Sequence, residues 1–157
     1  MESLLGLFVL ASLLATSPSA WAKAYFAAAK EMVEQSVAIA IVEIESVKAV
    51  EEKGSVWTYR ERAQAKVQQQ LKGSLPGNVQ LFGQETFICA QVRFQPGCYL
   101  VFLKRDGDKL VGANWHLSVR PIRDGQVEWF SGKQRLGLSR QPLANVLEQV
   151  RTFANSK

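Results

Sequence analysis

At 157 residues, 47% hydrophobic and 21% charged, the chain is too short for two full domains and too apolar for a disordered one. Nineteen Lys and Arg against fourteen Asp and Glu give a net charge of +5, which favours anionic partners without specifying them. One His and two Cys leave too few nitrogen and sulfur ligands for a zinc centre, and no cofactor is expected.

The first segment reads as a targeting signal. Leu4 to Ala15 is an apolar run of h-region length, Ser17-Pro18 breaks it, and Ala20-Trp21-Ala22 supplies small residues at the positions a signal peptidase inspects. The run is shorter than the roughly 20 apolar residues of a membrane span. Glu2 stands where such signals carry Lys or Arg, so an uncleaved anchor or a misplaced start remains the alternative. The expectation is a cleaved signal over 1–22 and a periplasmic or secreted domain over 23–157, with no transmembrane anchor after cleavage. Loss of Glu2 with the signal raises the net charge from +5 to +6.

Residues 25–34 place Tyr25, Ala28, Ala29, Met32 and Val33 on one helical face, predicting a short helix that ends at Ser36. Val37 to Ile44 is β-branched and nearly all apolar, the pattern of a buried strand. From Trp57 to Leu71 the odd positions are mainly apolar, whereas the even ones are Thr58, Arg60, Arg62, Gln64, Lys66, Gln68 and Gln70. Such alternation predicts one long strand with a wet face, able to curl at Ala63 and Ala65.

A turn at 73–77 precedes a short strand at Val79–Phe82, and Cys98–Leu103 reads as a second central strand. Asp106-Gly107 and Asp124-Gly125 are hairpin signals, the first leading into Lys109–Gly112 and the second joining Trp115–Ile122 to Gln126–Phe130. Gly132 to Gly137 reads as a loop. A C-terminal amphipathic helix over about 140–155 is predicted, with Ser139 as N-cap, Pro142 in the first turn, and Leu143, Val146, Leu147, Val150 and Phe153 as its buried stripe. The fold class expected is mainly β: a small OB-fold-like barrel of about six strands, with a helix at each end.

In an oxidising compartment Cys89 and Cys98 are expected to form a disulfide, which would stabilise the fold by about 2.5–3 kcal/mol on the chain-entropy model. Their spacing is not the Cys-x-x-Cys of a redox centre.

One stretch resembles a known family. Val67 to Val79 contains Leu71-Lys72-Gly73 at the end of a long strand, and Pro96-Gly97-Cys98-Tyr99-Leu100-Val101 precedes a charged hairpin. This is similar to bacterial secreted proteins related to tissue inhibitors of metalloproteinases and netrin modules, and spans about residues 37–119. The resemblance implies an OB-fold barrel. It does not imply metalloproteinase inhibition, since that activity uses an N-terminal Cys to chelate zinc. After cleavage this chain would begin Lys23-Ala24-Tyr25.

No catalytic constellation is present: His116 is two residues from Ser118 on an expected strand, and nothing marks Ser118 as a nucleophile. Glu61, on the mainly apolar face of the long strand, is expected to pair with an Arg at the barrel end, the alternative being that it marks a binding site. The candidate binding residues are Trp57, Phe94 and Trp129, near strand ends or loops, and Arg60, Arg62 and Lys66 on the wet face. The leading expectation is a non-enzymatic module that docks an envelope or extracellular protein. The alternative is an OB-type binder of an anionic glycan or oligonucleotide; export makes nucleic acid the weaker candidate.

Overall fold

The computed structural model describes residues 25–87, 90–131 and 137–156; the segment 1–22 expected to be a signal, Cys89 and most of the 132–137 stretch expected to be a loop fall outside that range. A seven-residue helix α1, Ala29–Gln35, opens the described chain, shorter than the sequence pattern predicts. Its last carbonyls, which lack helical partners, find donors: Ser36 Oγ donates to Met32 O at 2.7 Å, and Lys72 Nζ to Val33 O at 2.7 Å and Glu34 O at 3.2 Å.

β1 runs from Ala38 to Lys53 and pairs antiparallel with β2, Thr58–Lys72. Four register shifts interrupt the pair, and bulges of this kind let long strands bend. The inward residues at the bend, Ala40, Ala63 and Ala65, are all fully buried, and their small size allows the two strands to curl tightly.

β2 pairs with β3, Asn78–Glu85. β4, Gly97–Asp106, forms a hairpin with β5, Lys109–Gly112, and lies antiparallel to the first half of β1. β5 then meets β3 in parallel at Leu81↔Leu110 and Phe82↔Val111. The neighbours β1–β2–β3–β5–β4 thus return to β1 and close a ring. Three more strands continue from β4: β6 (Val119–Arg123), β7 (Gln126–Phe130) and β8 (Leu138–Pro142). Among the described residues the sheet has eight strands, more than the six or so expected, and is not a simple barrel. α2, Leu143–Asn155, ends the fold.

The strands separate two apolar layers. Inside the ring, Val42, Ile44, Leu81 and Val101 meet Val92 and Phe94 from the β3–β4 connector. Outside it, Ile39, Leu100 and Phe102 pack beneath α1, α2 and β7.

Several sequence expectations need correction. Trp115–Ser118 is a 3₁₀ turn, so the strand predicted from Trp115 begins only at Val119. Ser139 is no helix cap: it lies in β8 opposite Trp129, and α2 starts after Pro142. The expected Cys89–Cys98 disulfide involves Cys89, which lies outside the described residues; among those residues Cys98 is a free thiol.

Candidate functional site

At one end of the ring the β1–β2 turn, the β4–β5 turn and the 3₁₀ turn converge. The organising group is the buried Asp106 carboxylate. It accepts from the backbone N–H groups of Ser55 (2.6 Å), Val56 (3.2 Å) and Trp57 (3.5 Å), and from the Tyr59 hydroxyl (2.7 Å). Gly54 is required beside it, because a Cβ there would stand 2.0 Å from Asp106 Oδ2. Desolvation pushes the Asp106 pKa up, but these donors outweigh it and hold the group below the ordinary carboxylate value. The Tyr59 phenol moves the opposite way, raised by burial and by its bond to Asp106.

With the turn held in this way, Val56 is 71% exposed and Trp57 joins an aromatic cluster. The Trp57 ring lies 5.4 Å from Phe87 and 5.9 Å from Trp115, and Phe87 lies 4.8 Å from Trp115. All three rings are only half-buried. Trp115 sits at φ 51°, a left-handed conformation unfavourable for a bulky side chain, of the kind that concentrates at binding sites.

The surroundings hold that conformation. Asn114 Oδ1 accepts from Ala27 N at 3.1 Å, its Nδ2 donates to Tyr25 O at 3.0 Å, and its backbone N–H donates to buried Ser118 Oγ. Ser118 is therefore a turn-forming group and not an available nucleophile. His116 is exposed, with its ring 5.6 Å from Phe26. Desolvation and then the Arg120 charge hold its pKa below the usual imidazole value. Buried Arg120 donates from Nε to Leu117 O at 2.9 Å.

Glu61 finds the arginine anticipated for it. Arg93 Nη1 lies 2.9 Å from Glu61 Oε1, and Phe94 N donates to Oε2 at 3.2 Å. Glu85, 3% exposed, accepts from Val92 N at 2.9 Å, and its pKa is raised, mainly by burial. Both carboxylates tie the connector across the ring.

The six candidate binding residues fall in four places. Trp57 belongs to the aromatic cluster. Phe94, 6% exposed, fills the ring interior, and Trp129, 0% exposed, lies beneath α2, so neither is available to a partner. Arg60, Arg62 and Lys66 project from the outer face of β2, where Arg62 pairs with Glu52 at 3.0 Å and Lys66 lies opposite Glu43. The sequence reading missed Phe87, Trp115 and Asp106 as members of one site. The turn geometry that unites them depends on residues some fifty positions apart.

Among the described residues no helix is long and apolar enough to cross a membrane, and no group of His, Cys, Asp or Glu is arranged to hold a metal ion. No protein-family model matches the chain, and no curated protein matches it.

Proposed function

We propose that this chain is an exported, non-catalytic interaction module of the cell envelope, built on an OB-like barrel and docking a protein partner at its aromatic end. One observation carries the reading: Trp57, Phe87 and Trp115, from three separate loops, form a half-exposed aromatic patch beside the exposed Val56. Aromatic anchors dominate protein interfaces, and a turn already fixed by Asp106 loses little entropy on binding. The five-strand ring with a long curled first strand supports the barrel assignment, because loops at one end of such barrels are where ligands bind. Relationship to metalloproteinase-inhibitor and netrin-like modules extends, in this proposal, to the fold alone.

The docking test uses the exported protein as bait on envelope extracts, with washes at high salt. A partner retained by the native chain is expected to bind Trp115→Ala or Val56→Asp about 30-fold more weakly, the scale of losing one hot-spot anchor. Undiminished binding by both variants would place the docking surface elsewhere.

Export has its own test. Protein recovered from the periplasm or medium of an expressing bacterium is expected to begin at Lys23. A product that keeps its first 22 residues in the membrane would mean an anchor instead.

A further inference from the structure

A second, unrelated surface lies on the outer face of β1–β2–β3. Two neighbouring rows of side chains cross the three strands there. Ser46 is opposite Gln64, which is opposite Gln80; one step along, Lys48 is opposite Arg62. Ser46, Lys48, Arg62, Gln64 and Gln80 line a shallow depression of about 140 Å³.

The Lys48–Arg62 opposition is unfavourable as it stands, because like charges facing each other across a ladder repel. Arg62 gives Nη1 to Glu52 at 3.0 Å, but a guanidinium has further donors. Lys48 is exposed, and among the described residues no carboxylate lies within 4.0 Å of its ammonium. An oxyanion between the two cations would relieve the repulsion and accept charge-assisted hydrogen bonds from both. The remaining wall is uncharged and rich in hydroxyl and amide groups, suited to the hydroxyls of a sugar.

Nucleobases fit the depression poorly. Base stacking needs an open ring, and the nearest one, Phe82, is buried with Lys109 Nζ 5.3 Å from its centroid. We infer that this depression is a binding site for an acidic oligosaccharide, with Lys48 and Arg62 holding its carboxylate or sulfate and Ser46, Gln64 and Gln80 its hydroxyls. The site shares no residue with the aromatic patch and does not depend on it.

The test titrates the full exported chain with a galacturonate tetramer, a neutral maltotetraose and a short thymidine oligonucleotide, read by calorimetry and amide chemical-shift mapping. The galacturonate tetramer is expected to bind saturably, with affinity falling as salt is added and shifts centred on 46–48, 62–64 and 80. Lys48→Gln, at an exposed position, is expected to weaken binding about tenfold, the effect of one charge-assisted hydrogen bond. Glu52→Gln, which removes the competing carboxylate, should tighten it. Arg123→Gln, at an exposed position on β6, and Trp115→Ala should leave it unchanged.

Equal weakening by Arg123→Gln, or shifts spread over every basic residue, would mean diffuse attraction and overturn the site. Absence of saturable binding would overturn it as well. Tighter binding of the oligonucleotide at the same residues would overturn the sugar assignment. Loss of the docking partner in Trp115→Ala bears only on the aromatic patch.

Discussion

Trp129→Ala is expected to cost about 4 kcal/mol of stability, within the range for truncating a fully buried tryptophan. The indole is 0% exposed and stacks on Phe102 at 5.5 Å, with the Phe130 ring edge-on at 5.2 Å. Its Nε1 donates to Gln149 Oε1 at 3.1 Å, which couples β7 to α2. Truncation removes the body that fills the space between sheet and helix and leaves the amide of Gln149 without that donor. For a domain of this size the thermal midpoint should fall by roughly 8–15 °C. Trp129→Phe, which keeps most of the ring, should lose less than half as much. Urea unfolding of the three proteins measures both; a midpoint unchanged in Trp129→Ala would mean that α2 contributes little to the fold.

Asp106→Ala should cost about 3 kcal/mol, because it leaves the buried Tyr59 hydroxyl and the turn N–H groups short of an acceptor. The pH dependence follows from the depressed pKa of this carboxylate in the folded chain. Its contribution is fully present above the unfolded value of about 3.9 and is lost as pH falls through the lower folded value. The native protein should therefore lose its advantage over Asp106→Ala below about pH 4, and the two stability curves should converge in acid. Glu85, shifted upward by burial, titrates in the opposite sense but is common to both proteins, so the difference isolates Asp106. Curves that stay parallel down to acid unfolding would show that the carboxylate is not what holds the turn. Because the same turn carries Val56 and Trp57, the variant is also expected to lose the docking surface.

What the sequence makes legible follows from how local each cause is. The β2 pattern is plain because its two faces differ over the first two-thirds of the strand, with Tyr59, Ala63 and Ala65 buried on one and Arg60 and Lys66 exposed on the other. The two Asp-Gly turns are equally plain, because a turn is specified by its own residues. The second half of β1 is hidden, since the register shifts after Ile44 and Ala49 break the alternation and Glu45, Glu51 and Glu52 look like loop. β8 is hidden because it is an edge strand with little buried surface, and Ser139 followed by Pro142 imitates a helix start. At Trp115–Ser118 a 3₁₀ turn happens to alternate polar and apolar, so periodicity alone misleads.

The candidate site was less legible than the fold. Trp57 stands out as an aromatic residue beside a turn, but Phe94 and Trp129 share that mark and are core. Asp106 looks like any turn aspartate, and its donors lie 47 to 51 residues upstream. Aromatic type identifies candidates for binding; only the tertiary meeting of loops separates those that face a partner from those that face the core.

The ring's closure is uneven, and that has a dynamic consequence. β1 and β2 are joined along nearly their whole lengths, whereas β3 and β5 share only Leu81↔Leu110 and Phe82↔Val111, 29 residues apart in sequence. That seam is the cheapest place to open the ring, since parting it breaks few backbone bonds and leaves both hairpins intact. Opening of this domain is therefore expected to be a hinge-like parting of two hairpin halves, with amide exchange at Leu110 and Val111 as its readout.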